Sequence, residues 1–368
     1  MGQRAAGCFM VGIKGAGMAS LTVLLQQRGI RVSGSDTDEF FVPQRLLERH
    51  AIPWTAMEDT RALEAGYETL IYSTAYDPGA TPQIVQARDM GMDIFSYNEY
   101  IGKLSHAAAD CCCIAGTHGK STTSAMTDYL LQYYGYATEA LYGTEIMDLS
   151  LVPGRDDGPA EKAVLLIEAC EYRRHFHLLS PSVAVITSID FDHPDCFADI
   201  AAVEEAFLDF GRRIRRQGTL IYCADDKRVC AVAETLAAER ADIIRVPYSG
   251  DDLPRELALQ IPGRHMVQNM AAAIAAAGAV FRQRGAELPD LPAAAERFPG
   301  CRGRTEVLGR AGGILIIDDY AHHPAEIAVT LKGLRAEYPD CRLAVDFMPH
   351  TYSRTEALFP AFAAVLRE

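Results

Sequence analysis

The sequence predicts an α/β protein with parallel sheets in more than one domain. At 368 residues, the chain is longer than a single hydrophobic core usually organises, so two or three domains are expected. Short runs of aliphatic residues alternate with stretches of helical periodicity, which is typical of strand–helix–strand units. Each run ends in a polar residue or a glycine, and ligands of open parallel sheets bind at those carboxyl ends.

The first strand–helix unit begins with the run CFMVGI at 8–13, which predicts a strand. A glycine-containing turn follows, and then a helix that is expected to end near Gly29. The apolar face of this helix comprises Met18, Leu21, Leu24 and Leu25.

The turn itself reads GIKGAGMAS and places Gly15, Gly17 and Ser20 at the spacing of a nucleotide-binding fingerprint. Asp36 ends the next strand about twenty residues on, where such folds carry an acidic ribose contact. The pattern indicates a dinucleotide or a nucleoside diphosphate without specifying NAD. An ordinary tight turn between a strand and a helix is the alternative.

The remaining strand candidates are spread over the whole chain, and they are RVSGSD, TLIYST, CCCIAG, AVLLIE, SVAVITS, TLIYCAD, ILIIDD and LAVDF. LSHAAAD at 104–110 is a candidate linker because a new strand–loop–helix unit begins directly after it. FPGCRGR at 298–304 is a second, since it follows an alanine-rich helix predicted around 268–296. We therefore expect domains at 1–106, 107–298 and 299–368.

Composition excludes several classes of function. The net charge of −14 argues against a nucleic-acid-binding surface and against docking on anionic lipid. The ten cysteines include no CxxC pair and lie mostly in or beside apolar runs, as buried thiols in a reducing compartment do. No apolar run reaches 18 residues, so we expect a cytoplasmic protein with neither a signal peptide nor a membrane span.

The stretch CCCIAGTHGKSTT at 111–123 places a glycine-rich loop between a strand and a helix. Backbone N–H groups at a helix N-terminus cradle phosphate, and Lys120 would add a point charge. Ser121 could offer its hydroxyl to Mg²⁺. The helical periodicity continues to a glycine at 135, which supplies the context that a phosphate loop requires. An ordinary turn with a solvated lysine is the alternative.

Acidic residues follow two further strands. Glu168 ends AVLLIE, and Asp190, Asp192 and His193 follow SVAVITS. Together with Ser121, these oxygen and imidazole ligands could surround one or two Mg²⁺ ions that bridge phosphate oxygens. Simple hydrogen bonding within a loop is the alternative.

Three later motifs carry polar side chains at turns. Arg264, His265 and Asn269 lie in PGRHMVQN and could contact a nucleotide base or phosphate, although a helix cap with exposed polar groups explains them as well. DDYAHHPAE carries Asp319, His322 and His323, and MPHTYSRT carries His350 and Arg354. Neither motif has the ligand spacing of a zinc site, so contacts to a ribose or a carboxylate are expected of them.

Taken in order, these motifs resemble those of the Mur ligase family, the ATP-dependent amide-forming enzymes of peptidoglycan synthesis. The resemblance runs from about residue 8 to 358, and the histidine in AGTHGKSTT resembles the branch that adds the first amino acid. It implies a Rossmann-like N-terminal domain for the UDP substrate, a central P-loop domain with a parallel sheet for ATP and Mg²⁺, and a Rossmann-like C-terminal domain. The C-terminal domain is expected to be incomplete, and Ser188 stands where the family has asparagine.

The resemblance also implies roles for individual residues, with Lys120, Glu168 and His193 as the catalytic set and Ser121, Glu168 and His193 on the metal. The expected ATP-binding residues are Gly116, Thr117, His118, Gly119, Lys120, Ser121, Thr122, His265, Asn269, Arg304 and Asp319. The expected UDP-substrate residues are Gly15, Ala16, Gly17, Met18, Asp36, Ser73, His193, His350 and Arg354.

The implied reaction uses ATP, Mg²⁺, UDP-N-acetylmuramate and L-alanine. The lactyl carboxylate would attack the γ-phosphate, and the amine of L-alanine would then take the acyl group from the acyl phosphate. Three alternatives stay open at this point: a recycling ligase that attaches a tripeptide to the same UDP-sugar, a non-catalytic shortened homologue, and a nicotinamide oxidoreductase. The oligomeric state, monomer or dimer, is open as well.

Overall fold

A computed structural model describes residues 7–148, 163–254, 257–349 and 352–367. His350, expected to contact the substrate, lies outside the described residues. The chain divides into two compact units, one with Met1–Ala108 and Glu139–Gly143, the other with Ala109–Thr138 and Thr144–Glu368. No helix in the described ranges combines the length and the apolar character needed to cross a membrane.

The N-terminal sheet has the strand order β3-β2-β1-β4-β5, and all of its strand pairs are parallel. Its elements are β1 (Gly7–Val11), α1 (Ala16–Gln27), β2 (Arg31–Asp36), α2 (Gln44–Arg49), β3 (Trp54–Ala56), β4 (Thr69–Tyr72), α3 (Pro82–Asp89), β5 (Asp93–Ser96) and α4 (Tyr97–Ala107). The strand order reverses at β1, which is where ligands bind in sheets of this kind. The glycine turn after β1 lies at that position.

The central sheet has the strand order β11-β10-β9-β6-β8-β7. Its elements are β6 (Cys111–Ala115), α5 (Lys120–Tyr133), β7 (Thr138–Leu141), β8 (Val164–Glu168), β9 (Val183–Ile186), α6 (Ile200–Arg212), β10 (Thr219–Cys223), α7 (Lys227–Glu239) and β11 (Ile244–Tyr248). Every residue of β6 is buried, as expected of a central parallel strand with helices on both faces. The three consecutive cysteines 111–113 are therefore core residues, and six of the ten cysteines are buried.

The prediction of one helix around 268–296 was wrong. The structure has α8 (Arg264–Gln283) followed by the short helix α9 (Leu291–Ala295). The chain leaves α8 through Gly285, whose φ is +66°, and Pro289 follows before α9 begins. A left-handed glycine ends a helix and a proline cannot continue one, so the alanine-rich composition alone overestimated the length of the helix.

The C-terminal region begins with an antiparallel hairpin of two strands. Its elements are β12 (Glu306–Ala311), β13 (Ile314–Asp318), α10 (Pro324–Glu337), α11 (Tyr352–Ala357) and α12 (Phe359–Val365). The prediction of a strand at LAVDF (343–347) was wrong, because those residues have no regular structure. A strand needs a hydrogen-bonded neighbour, and β12 and β13 pair only with each other among the described strands.

Candidate active site

The loop between β6 and α5 requires glycine at two positions. Gly116 has a φ of +143°, and a Cβ there would lie 1.9 Å from Thr187 Oγ1. Gly119 has a φ of +80°, and a Cβ there would lie 2.5 Å from Asn269 Oδ1. A larger residue would be strained by its backbone conformation and would collide with these neighbours. The glycines thus let the loop pack closely in front of the first N–H groups of α5, which is the geometry of an anion cradle.

The end of β9 fixes the conformation of this loop. The backbone N–H of Thr117 donates to the carbonyl oxygen of Ser188 (2.9 Å). The backbone N–H of His118 donates to Ser188 Oγ (2.9 Å), and Thr187 Oγ1 donates to the carbonyl oxygen of His118. Ser188, which stands where the family has asparagine, therefore positions the loop through its carbonyl oxygen and its hydroxyl. Sequence analysis missed the contribution of Thr187.

Lys120 begins α5 and lies in a buried acidic environment. Its Nζ donates to the carbonyl oxygens of Gly116 (2.5 Å) and Thr117 (3.0 Å) and lies 3.0 Å from Glu171 Oε2. Burial lowers the pKa of Lys120, but the negative charges around it, Glu171 foremost, outweigh burial and raise its pKa. The ammonium is therefore charged throughout the physiological range. Glu171 is 2% exposed and was missed by sequence analysis, although it stands in the same EACE motif as Glu168.

The structure brings together two of the three expected metal ligands. Ser121 Oγ donates to Glu168 Oε1 (2.8 Å), and Arg304 Nη2 donates to Ser121 Oγ (3.2 Å). The third expected ligand is His193, whose Nε2 lies 3.8 Å from Glu171 Oε1. Glu171 also pairs with Lys120, so its carboxylate lies between His193 and the start of α5. His193 has a φ of +56°, an uncommon conformation for a non-glycine residue that tends to occur at functional sites.

Asp192 and Arg354 form a buried ion pair. The guanidinium donates from Nε to Asp192 Oδ1 (2.8 Å) and from Nη2 to Oδ2 (3.0 Å), and the two residues are 6% and 5% exposed. Burial raises the pKa of Asp192, but Arg354 and His193 outweigh it and hold the pKa well below its ordinary value. Asp192 is therefore engaged by Arg354, which lies in the short helix α11, and the pair ties α11 to the loop after β9.

His118 is held by carboxylates on both of its ring nitrogens. Nδ1 lies 3.2 Å from Glu326 Oε1, and Nε2 lies 3.5 Å from Asp190 Oδ2. Burial lowers the pKa of His118, but these two hydrogen bonds outweigh burial and raise its pKa to about 9. Both ring nitrogens therefore act as donors, and the ring is an imidazolium. Glu326 was missed by sequence analysis because it is more than 200 residues away in the sequence.

The charge on His118 predicts a pH-dependent stability. The pKa rises from its ordinary value of 6.5 to about 9 in the folded state, so the stabilisation is complete below about 6.5 and is lost as the pH rises through 9. We expect the melting temperature of the wild-type chain to fall over this window and that of His118→Gln to fall less, both followed by circular dichroism. An equally steep decline in the variant would contradict the imidazolium.

The residues expected near the nucleoside lie around α8 and the hairpin. His265 is in the first turn of α8, and burial lowers its pKa. Asn269 lies against Gly119, as the short Cβ distance shows. Asp319 accepts from Thr305 N (2.7 Å) and Oγ1 (3.0 Å), so its carboxylate orders the loop before β12.

A cavity of about 740 Å³ opens beside the loop. It is lined by residues at the ends of β9 and β10 and the start of α7 and by one residue of α8: Thr187, Ser188, Cys223, Asp225, Asp226, Lys227, Arg228 and Gln268. Thr187 and Ser188 contact both the cavity and the loop. A ligand that occupies the cavity would therefore lie next to a phosphate group bound at the N-terminus of α5.

The expected UDP-substrate residues of the N-terminal unit surround the turn after β1. Asp36 is 4% exposed and accepts from the backbone N–H of Lys14 (2.7 Å) and of Thr37 (2.8 Å) and from the Tyr76 hydroxyl (3.2 Å). Its carboxylate therefore stabilises the turn after β1 by accepting these hydrogen bonds. Gly17 lies in the first turn of α1, where a Cβ would be 2.8 Å from the Tyr97 hydroxyl. Glycine at that position permits the close approach of Tyr97.

Comparison with family models and with known proteins gives consistent matches along the chain. Residues 9–108 match the Mur ligase family catalytic domain, 114–253 the Mur ligase middle domain and 303–368 the Mur ligase glutamate ligase domain. The UDP-N-acetylmuramate–L-alanine ligase of Treponema pallidum is 35% identical over 96% of this chain and 78% of its own length. That of Borrelia garinii subsp. bavariensis is 30% identical over 97% and 81%.

Two solved structures share the fold. The UDP-N-acetylmuramate-alanine ligase of Thermotoga maritima matches with a TM-score of 0.76 and 24% identity, over 98% of this chain and 83% of its own. A murein peptide ligase from Psychrobacter arcticus matches with a TM-score of 0.72 and 23% identity, over 94% and 79%.

Proposed function

Because this chain belongs to the Mur ligase family, we propose that it is an ATP-dependent ligase that joins L-alanine to the lactyl carboxylate of UDP-N-acetylmuramate. The observation that supports this most directly is the loop Gly116–Lys120, which leads into the N-terminus of α5 and carries the ammonium of Lys120, whose side chain is 14% exposed. The names of the relatives at 30% and 35% identity favour L-alanine as the amine. We further propose a cytoplasmic location and the domain boundaries 1–106, 107–298 and 299–368.

The principal obstacle to the reaction is electrostatic, because a carboxylate must attack a polyphosphate. The N–H groups at the start of α5 and the ammonium of Lys120 are fixed before the substrate arrives, so they stabilise the charge of the transferring phosphoryl group without further reorganisation. The carboxylate oxygen forms a bond to the γ-phosphorus while the bond to the β–γ bridging oxygen breaks. The neutral amine of L-alanine then attacks the acyl carbon, the bond from that carbon to the phosphate oxygen breaks, and phosphate leaves while the amine gives up one proton to water.

The site also fits a magnesium ion. Ser121 and Glu168 already lie 2.8 Å apart, and a hydroxyl with a carboxylate is the oxygen donor set that Mg²⁺ prefers. We propose that Ser121, Glu168 and His193 hold the ion, which when bound neutralises phosphate charge. Glu171 supports this arrangement by pairing with both Lys120 and His193.

Replacing His193 by alanine is expected to raise the magnesium concentration needed for half-maximal activity by about tenfold or more, because one ligand of the ion is lost. The measurement is a magnesium titration of phosphate release at saturating ATP. His106→Ala is the matched control, since His106 is exposed near the end of α4. A magnesium curve that His193→Ala leaves unchanged would remove this residue from the metal site.

The other expected contacts complete the proposal. We assign the adenine to His265 and Asn269, the ribose to Asp319 and the phosphates to Arg304. For the muramyl substrate, the N-terminal turn at Gly15–Met18 and Ser73 would bind the UDP group. The position of Asp36 beneath that turn favours an indirect role for its carboxylate.

The experiment that tests the function is an assay of phosphate release with ATP, Mg²⁺ and UDP-N-acetylmuramate, in which the amine is varied. We expect release to require both the UDP-sugar and L-alanine. Release that requires a tripeptide would indicate the recycling ligase instead. A chain that binds ATP but releases no phosphate with any amine would contradict a catalytic role.

A further inference from the structure

The ring of His323 caps the N-terminus of α10. Its Nδ1 accepts a hydrogen bond from the backbone N–H of Ala325 (3.3 Å), as a capping side chain does. An accepting Nδ1 has its lone pair engaged, so the proton of the neutral ring resides on Nε2. Burial lowers the pKa of His323, which favours this neutral form. His323 therefore presents an N–H donor at Nε2.

This donor is buried and has no acceptor among the described residues. His323 is 6% exposed, and its Nε2 has no hydrogen-bond partner there. A buried N–H group without a partner is costly, and native proteins contain only a few such groups. The position is therefore suited to an acceptor that a bound molecule supplies.

The surroundings define what that molecule must be. The rings of His323 and His118 lie 4.7 Å apart between centroids, and His118 is the residue of the phosphate loop directly before Gly119. One ring nitrogen of each and one oxygen of Asp190 lie within 4.8 Å of one another. An oxygen acceptor that enters here would meet the N–H of His323 next to the imidazolium of His118, whose own two N–H groups are engaged by Glu326 and Asp190.

A metal ion requires lone pairs that these imidazoles do not offer. Both nitrogens of His118 are donors to carboxylates, and Nε2 of His323 carries the proton of the neutral ring. Coordination would require a proton to leave His118 and the cap of α10 to break.

We propose that His323 donates from Nε2 to an oxygen of the phosphoryl group transferred from ATP, a role that rests on the proposed ligase function. The contact with His118 connects this donor to the loop that would hold the phosphates. His323 thus adds a donor from α10 to those supplied by α5 and Lys120. The cap to Ala325 fixes the ring so that the donor is oriented before substrates bind.

Two substitutions separate the donor from the cap. In His323→Asn, the side-chain oxygen can replace Nδ1 as the acceptor of the Ala325 N–H, but no atom reaches the position of Nε2. In His323→Gln, the amide nitrogen can reach the position of Nε2, but the acceptor of the cap is lost. The two variants therefore remove one function each.

We expect His323→Asn to keep the wild-type melting temperature and to lower kcat for phosphate release by about 10²-fold, the usual effect of losing one donor to a developing charge. His323→Gln should melt about 2 to 4 °C lower and retain a kcat within about tenfold of wild type. A wild-type rate in the asparagine variant would overturn the proposal. So would a loss confined to the KM for L-alanine, since the acceptor would then be the amino acid carboxylate.

A second measurement does not depend on turnover. In a chain labelled with ¹⁵N-histidine, titration with ADP and vanadate, a phosphoryl analogue, should move the Nε2–H proton of His323 downfield. The signal is identified by its loss in His323→Asn. An unmoved signal with vanadate bound would overturn the donor role whether or not the chain is active, whereas a shifted signal in a chain that releases no phosphate would reject only the ligase function.

Discussion

Replacing Lys120 by methionine is expected to lower the rate of phosphate release by about 10³-fold or more, the largest effect on activity of any single side chain in the site. Methionine keeps the unbranched shape and removes the charge. The lost charge is the one fixed at the start of α5, where the phosphates are proposed to bind. The measurement is single-turnover phosphate release at saturating ATP, UDP-N-acetylmuramate and L-alanine.

The same substitution leaves Glu171 buried without its lysine, so stability must be measured alongside activity. Breaking a buried pair by removing one partner costs about 3 kcal/mol, and His193, at 3.8 Å, compensates only in part. The double variant Lys120→Met/Glu171→Gln removes both charges and should recover much of the melting temperature without recovering activity. A double variant with near-wild-type turnover would contradict the role of Lys120.

Replacing Arg354 by leucine is expected to destabilise the chain by about 3 kcal/mol, a loss comparable to that predicted for Lys120→Met. Asp192 would be left buried without its guanidinium partner, with His193 Nε2 at 3.7 Å. Thermal unfolding by circular dichroism measures the loss. Asp192→Asn combined with Arg354→Leu should be more stable than Arg354→Leu alone, because the unpaired charge is then absent.

Arg212 provides the matched control for burial. It pairs with Glu205, Asp209 and Glu239, but its side chain is 37% exposed. Exposed pairs contribute little because water and salt screen them. Arg212→Leu should therefore lower the melting temperature much less than Arg354→Leu. Equal losses would indicate that the number of ion pairs, rather than their burial, decides stability here.

The α/β fold was predicted from local pattern and is confirmed. Strands such as β6 and β9 are short buried runs that end at polar residues, and helix α5 follows its loop with clear periodicity. These features depend only on residues that are consecutive in the sequence. The errors came where a longer-range condition applies: LAVDF lacks a neighbouring strand, and the helix that begins at α8 stops where Gly285 adopts a left-handed conformation.

The candidate site was predicted unevenly for the same reason. Lys120, Ser121 and Glu168 stand in recognisable motifs, and the structure places them together. Glu326 and the partnership of Asp192 with Arg354 arise only when the C-terminal region packs against the loops of the central sheet. No local pattern specifies such pairs, because sequence spacing does not determine which buried charges meet. The binding roles of the individual residues stay predictions.

The buried cysteines of β6 can report how often the strand that carries the nucleotide loop opens. Burial raises the pKa of Cys112 and Cys113, so these thiols are neither accessible nor ionised in the closed sheet. An alkylating reagent can reach them only after β6 separates from its neighbours. Their modification rate, read by mass spectrometry, therefore measures how often the strand that carries the loop detaches, and ligands that bind the loop should slow that rate.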